Sequence, residues 1–226
     1  MGLIKRKHAI LKHADALAES RDQWIDKNRY FYQDDYAYMR FLINEGQRVL
    51  ELGCGTGQLL NTLKPAYGVG VDLSGRMIEV AQNKFPHLDF VQGDLEDADL
   101  IASLNGPFDV IVLSDTLGYL DDCEETFAGL HSLCIPSTRL VIAYYSWNWE
   151  PFLKLGEKLG LKMPSVEMNW LSTEDTIGFL ELADFDTVKQ EWRQLVPRSL
   201  FGLGSFVNRF IGTLPIIRRL SLRDYL

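Results

Sequence analysis

The stretch Val49-Leu50-Glu51-Leu52-Gly53-Cys54-Gly55-Thr56-Gly57 decides the fold of this chain. It begins as a short apolar run, which predicts a buried strand, and it ends with glycine at every second position. Glycine is used where a side chain would block a ligand or where the backbone needs a positive φ. The next residues, 58–60, start a helix whose free N–H groups point back toward the turn. The stretch therefore predicts a nucleotide-type cradle at the carboxyl end of a strand.

An acid follows the next apolar run. Asp72 comes directly after Tyr67-Gly68-Val69-Gly70-Val71, at the end of the second predicted strand. A carboxylate in this position can accept hydrogen bonds from both ribose hydroxyls of a nucleoside. The alternative is that Asp72 caps the helix starting near Ser74 or faces solvent. The glycine spacing differs from the dinucleotide fingerprint G-x-G-x-x-G, which disfavours a nicotinamide-dependent oxidoreductase.

Glu51, the three glycines and Asp72 together resemble the first motifs of the class I, Rossmann-like S-adenosylmethionine-dependent methyltransferases. The ordered match spans roughly 47–145 and extends more loosely to about 195. The resemblance implies an α/β fold with a doubly wound, mostly parallel seven-stranded sheet and an N-terminal helical cap. It also implies S-adenosylmethionine as cofactor. Segments 114–120 and 169–172 look like bacterial methyltransferase domains that are sometimes found beside glycosyltransferases.

The resemblance further implies a set of cofactor-binding residues. Asp94, after the third strand, would hydrogen-bond the adenine amino group, although it also suits the N-cap of a helix. Ser114 and Asp115, after the fourth strand, would lie beside the methionine moiety and the acceptor, or form an ordinary polar turn. The full set is Glu51, Gly53, Cys54, Gly55, Gly57, Asp72, Leu73, Met77, Gly93, Asp94, Leu95, Ser114, Asp115, Tyr119 and Tyr30, with no metal ligand.

The order of apolar runs predicts a single domain over 1–226. We expect a helical cap at 1–45, a cofactor-binding core at 46–195 with an acceptor-side insertion at 146–171, and a covering segment at 196–226. Strands are predicted at 48–52, 67–71, 88–92, 108–113, 139–145 and 186–195, and helices at 8–44, 58–64, 75–84, 95–103, 124–133, from Pro151 to about Leu159, and from Ser172. The seventh strand is then very short or cut off.

Aromatic residues are concentrated in two places. In the cap, Tyr30 and Tyr32 either cover the cofactor or acceptor, or pack against the sheet. In the insertion, Trp147, Trp149 and Trp170 either line an acceptor pocket or pack a helix onto the sheet. Loops longer than a crossover requires often carry recognition, so the insertion is the expected acceptor side.

The sequence names no catalytic base. A sulfonium cofactor is already activated, so we expect catalysis chiefly by in-line placement of the acceptor and exclusion of water. Candidate bases are Asp115, His131 and Tyr144, and His131 lies in a predicted helix, where a packing role is more common. A module that binds S-adenosylmethionine without turnover stays open as the alternative.

Composition limits the partners. The 226 residues are 46% hydrophobic and carry a net charge of −8, which argues against a broad nucleic-acid-binding surface. Three cysteines match no zinc spacing, and no signal peptide is recognisable, so we expect a cytoplasmic protein with reduced thiols. The expected acceptor is a small molecule, a glycan or a lipid-linked group. The basic, apolar stretch 198–220 is expected to cover the core, with peripheral membrane contact as the alternative.

Overall fold

The fold is one seven-stranded sheet with helices on both faces. The computed structural model describes residues 2–197, 203–212, 214 and 217–226. The strands are β1 (Arg48–Leu52), β2 (Tyr67–Asp72), β3 (Asp89–Gln92), β4 (Val110–Ser114), β5 (Arg139–Tyr145), β6 (Glu191–Arg193) and β7 (Arg223–Tyr225). Their order in the sheet is β3-β2-β1-β4-β5-β7-β6. The first five strands pair in parallel, and β7 pairs antiparallel with both β5 and β6.

The helices connect the strands and precede them. They are α1 (Gly2–Leu17), α2 (Arg21–Lys27), α3 (Arg29–Leu42), α4 (Gln58–Leu63), α5 (Gly75–Lys84), α6 (Ala98–Ser103), α7 (Cys123–Gly129), α8 (Glu150–Lys158), α9 (Thr173–Leu182) and α10 (Leu203–Phe206). Short 3₁₀ turns lie at Leu117–Tyr119, Leu130–Leu133, Trp147–Trp149 and Arg218–Leu220, and a π-helical turn lies at Val207–Ile211. In the described residues, no helix is both long and apolar enough to cross a membrane.

Alternation along the strands divides the core into two layers. In β1, Leu50 and Leu52 pack into one buried cluster together with Phe127 of α7 and Leu180 of α9. Val49 faces the other cluster, which α3, α4 and α5 cover. Successive side chains of a strand point to opposite faces, so a strand buried on both sides reads as a continuous apolar run.

The predicted seven-stranded fold is confirmed, with two shifted boundaries. The strand predicted at 186–195 is only three residues long, because its sole partner β7 is equally short and Val188 is 90% exposed. The helix predicted from 95 begins at Ala98, because the Asp97 carboxylate, and not Asp94, accepts the N–H groups of Asp99 and Leu100. Arg198, Phe201 and Ile216 of the predicted covering segment lie outside the described residues.

Candidate cofactor and acceptor site

The glycine loop after β1 has the left-handed backbone that the sequence predicts. Gly53, Gly55 and Gly57 have φ values of +80°, +52° and +74°. A Cβ at Gly53 would lie 2.2 Å from Thr116 Oγ1, and one at Gly57 would lie 2.6 Å from Phe90 Cζ. Both the backbone angles and the close neighbours therefore require glycine here.

Asp72 is tied to this loop through its side chain. One carboxylate oxygen accepts the N–H of Gly55 at 2.8 Å, and the other accepts the N–H of Ser74 at 2.9 Å. Burial raises the pKa of Asp72, and these two hydrogen bonds oppose the shift. Because a carboxylate oxygen can accept more than one hydrogen bond, each retains capacity for a ligand hydroxyl. The helix that follows is capped by Ser74, whose Oγ accepts the N–H of Met77.

A cavity of about 220 Å³ lies at the carboxyl ends of β1, β2 and β4. Ten of the predicted cofactor residues line it: Gly53, Gly55, Asp72, Leu73, Met77, Asp94, Leu95, Ser114, Asp115 and Tyr119. In an open parallel sheet, ligands bind in the crevice outside these strand ends. The arrangement offers carboxylates at the loop end and apolar side chains toward β3.

The other five predicted cofactor residues lie elsewhere. Glu51 lies beneath the loop, where its carboxylate accepts the N–H of Leu60 at 2.9 Å and burial raises its pKa to about 8. Cys54 is buried against Gly70 on the α4 side of the sheet, and Gly57 opens α4. Gly93 packs against Leu100, and the Tyr30 hydroxyl accepts a hydrogen bond from Asn208.

Asp94 already has a protein partner. Lys7 of α1 forms an ion pair with the Asp94 carboxylate and a second one with Glu96 at 2.8 Å. The other Asp94 oxygen accepts the N–H of Glu96 at 3.1 Å. Helix α1 thus crosses the edge of the cavity that the sequence assigns to adenine.

Two segments cover the cavity: α1 and the extended chain at 162–171. Arg6 donates to the carbonyl oxygen of Gly118 at 2.8 Å, and the N–H of Asn169 donates to the same oxygen at 2.8 Å. His13 donates from Nε2 to the carbonyl oxygen of Pro164 at 3.1 Å, which joins the two segments. These contacts shield the strand ends from water.

Aromatic side chains from both predicted clusters reach the cavity, but not all of them. Tyr32 of the cap lines it, whereas Tyr30 does not. Trp170 lines it as well, while Trp149 donates from Nε1 to the carbonyl oxygen of Leu220 and Trp147 is 51% exposed. The insertion therefore contributes mainly through its second half, residues 162–171.

Arg21 is a functional candidate that sequence reasoning missed. Its Nε lies 2.6 Å from the position of a Cβ at Gly55, and its guanidinium lines the cavity. Burial opposes its charge, but Tyr32, Tyr36 and Asp72 raise its pKa above the ordinary arginine value. Within the described residues no hydrogen bond or ion pair to Arg21 is formed, so its N–H groups face the cavity without a partner. Nothing in the sequence marks this arginine, because only the folded chain brings α2 over the loop.

Asp115 is held by a second arginine that the sequence did not indicate. It forms an ion pair with Arg223 of β7, whose side chain is fully buried and also pairs with Asp35 at 3.2 Å. Burial raises the pKa of Asp115, and Arg223 opposes that shift. Asp115 adopts φ +59°, which turns the chain away after β4. Its carboxylate is thus a fixed charge with one side toward the cavity.

The remaining base candidates are poorly placed for proton transfer. His131 Nε2 donates to the carbonyl oxygen of Ala183 at 2.7 Å, and its ring stacks on Phe185 at 4.4 Å beside a separate cavity. Tyr144 borders the main cavity, but its hydroxyl is buried without a well-formed hydrogen bond in the described structure. Burial raises the pKa of Tyr144 to about 12.

A sheet of this order with an antiparallel seventh strand, and with an acid at the end of β2 beside a glycine loop, defines the class I S-adenosylmethionine-dependent methyltransferases. The family described as "Methyltransferase domain" matches residues 24–210. The chain therefore belongs to this methyltransferase family.

Individual relatives agree with the family. The chain is 34% identical over 109 residues to a malonyl-[acyl-carrier protein] O-methyltransferase of Halalkalibacterium halodurans, covering 45% of this chain and 40% of that protein. It is 35% identical over 90 residues to a dTDP-4-amino-2,3,4,6-tetradeoxy-D-glucose N,N-dimethyltransferase of Saccharopolyspora spinosa, covering 38% and 34%. The matches thus span less than half the length of these relatives.

A solved structure shows the same fold. It is a methyltransferase of Thermotoga maritima described as a possible histamine N-methyltransferase. It superposes with a TM-score of 0.69 at 21% identity, covering 84% of this chain and 88% of that one. At this identity the likeness concerns the fold alone.

Proposed function

We propose that this chain transfers the methyl group of S-adenosylmethionine to a small-molecule, glycan or lipid-linked acceptor, on oxygen or nitrogen. The observation that carries the proposal is the Asp72 carboxylate, which is bound to Gly55 N–H and faces the cavity at the strand ends. An acid in this place suits a ribose, and the glycine loop leaves room for the rest of the nucleoside.

The residues present fit this cofactor. Asp72 would accept the ribose hydroxyls, Leu73 and Leu95 would hold the adenine ring, and Asp94 would accept its amino group. Arg21, which has no hydrogen-bond partner in the described residues, would bind the carboxylate of the methionine moiety as a charge-assisted pair. When bound, S-adenosylmethionine supplies a methyl group already activated by its sulfonium charge.

The protein's own contribution is placement and exclusion of water. Tyr119 and Trp170 form walls beside the strand ends, and α1 with segment 162–171 closes the top. Holding an acceptor in line converts a bimolecular reaction into an effectively unimolecular one. Asp115 is engaged by Arg223, and Tyr144 holds its proton far above neutral pH. We therefore assign no general base and propose catalysis mainly by positioning.

The acceptor class rests on the chemistry of the site and on relatives. The relatives named above methylate an acyl-carrier-bound malonyl group and a sugar amine, according to their names. A cavity of about 220 Å³ admits only the reacting end of a larger acceptor beside a cofactor. We further propose that the chain acts as one domain in the cytoplasm, which its three free thiols support.

Calorimetric titration with S-adenosylhomocysteine and, separately, with NADH tests the proposal. We expect S-adenosylhomocysteine to bind and Asp72→Ala to weaken it by about tenfold or more, since charge-assisted hydrogen bonds are lost. Asp89→Ala, an exposed acid at the start of β3, is the matched control and should leave affinity unchanged. Preferential binding of NADH, or equal affinity in Asp72→Ala, would refute the cofactor assignment. Binding without methylation of any acceptor from a panel of hydroxyl and amine compounds would favour the non-catalytic alternative.

A further inference from the structure

Large apolar side chains are exposed mainly in two segments. Of the fourteen described large hydrophobic residues that are exposed, five lie within 147–161 and five within 206–220. Phe152 and Leu155 of α8 are 65% and 54% exposed, and Phe206 and Phe210 are 54% and 56% exposed. Such a concentration differs from the scattered exposed apolar residues of ordinary surfaces and marks an interaction site.

The two segments belong to one face of the molecule. Trp149, whose ring lies 5.5 Å from that of Phe152, donates from Nε1 to the carbonyl oxygen of Leu220 at 2.8 Å. At the corner between α2 and α3, Lys27 donates to the carbonyl oxygen of Gly160 at 2.6 Å. Three residues further along, the Tyr30 hydroxyl accepts a hydrogen bond from Asn208. We call the exposed apolar residues of 147–161 and 206–220 the apolar face.

The charge of this face is opposite to that of the whole chain. Between Gln194 and Leu222 the sequence has four arginines and no acid, although the net charge of the chain is −8. Of these arginines, Arg209 and Arg219 are exposed, beside the rings of Phe210 and Trp192 at 5.6 and 6.0 Å. Exposed apolar and basic side chains are thus interleaved.

We propose that the apolar face docks on an anionic bilayer surface. Phenylalanine and leucine side chains would enter the boundary between headgroups and acyl chains, and the arginines would pair with lipid phosphates. Because α8 leads directly into segment 162–171, which lines the cavity, docking would bring the site close to the headgroup layer. That last step, a lipid-borne acceptor, rests on the proposed function, whereas docking itself does not.

A second copy of the chain fits this face less well. In a two-fold dimer the same patch meets itself, so the arginines of both copies would face like charges. An anionic lipid surface offers both an apolar layer and compensating charge.

Co-sedimentation of the full chain with vesicles tests the proposal. We expect binding to vesicles of phosphatidylcholine with phosphatidylglycerol, weaker binding to phosphatidylcholine alone, and a loss at high salt, because salt screens the arginines. Phe152→Glu and Phe210→Glu should each lower partitioning by about tenfold or more, since burial of an apolar side chain is lost. Leu182→Glu is the matched control, because Leu182 is 67% exposed outside the apolar face.

Three results would overturn docking: no binding to anionic vesicles, equal losses for Leu182→Glu and the face variants, or a dimer that Phe152→Glu dissociates. S-adenosylhomocysteine titrations on the same variants separate the two proposals. Retained cofactor binding without vesicle binding rejects only docking. Vesicle binding by a chain that binds no cofactor rejects only the proposed function.

Discussion

The guanidinium of Arg21 lies directly over Gly55, so that a Cβ at Gly55 would come within 2.6 Å of Arg21 Nε. Helix α2 and the loop after β1 therefore share one surface of the cavity. The contact explains why the second glycine is needed even though its neighbour is a side chain and not backbone. It also places a cation without a protein partner, in the described structure, where the anionic end of the cofactor is expected.

Arg21→Met tests this role. The variant keeps much of the length of the side chain but removes the charge, so it should weaken S-adenosylhomocysteine binding by about tenfold or more. Calorimetry with 5′-methylthioadenosine, which lacks the amino acid carboxylate, supplies the control, because its affinity should hardly change. An equal loss for both ligands would show that Arg21 supports the loop and does not recognise the carboxylate.

Glu51→Gln should change the pH dependence of stability. Burial raises the pKa of Glu51 from 4.5 to about 8, so the folded protein favours the protonated carboxyl. Below pH 4.5 both states are protonated, and between pH 4.5 and 8 only the unfolded chain loses the proton, which lowers the free energy of unfolding. Glutamine can still accept the Leu60 N–H without this loss. Urea unfolding should show the variant more stable by about 1 kcal/mol or more at pH 8, and nearly equal to wild type at pH 5. A difference independent of pH would contradict the protonated state.

Arg223→Met should destabilise the fold strongly. The substitution leaves Asp35, which is 2% exposed, and Asp115 without their common partner, and an unpaired buried charge costs about 3 kcal/mol or more. Chemical denaturation measures the loss. In the double variant Arg223→Met with Asp35→Asn, part of the stability should return, because one of the two uncompensated charges is removed. No recovery would mean that the loss comes from packing against the surrounding rings.

His131→Ala should affect stability and not the site. The imidazole hydrogen bond to Ala183 and the stacking on Phe185 fix α9 against the 3₁₀ turn at 130–133. Their loss should lower the free energy of unfolding by about 1 kcal/mol. Affinity for S-adenosylhomocysteine and methyl transfer should stay within about twofold of wild type. A loss of transfer by orders of magnitude in a folded variant would restore His131 as a catalytic candidate.

The sequence by itself determined the fold and the cofactor class. Alternating apolar runs and helices specify a parallel sheet, and such a sheet brings the ends of β1, β2 and β4 together whatever the details of packing. That is why Gly55, Asp72 and Ser114 meet at one cavity, as their positions at strand ends predict. Local signals succeeded as well where they are purely local, as in the capping box of Ser172 and Asp175.

Tertiary structure decided which side chains complete the site. Arg21 reaches Gly55, Arg223 reaches Asp115, and Lys7 reaches Asp94 only because distant segments pack over the strand ends. Likewise, Tyr32 rather than Tyr30 faces the cavity, a choice that depends on how α3 is rotated against the sheet. Strand ends are fixed by local chain pattern, whereas these contacts depend on long-range packing that no short stretch of sequence encodes.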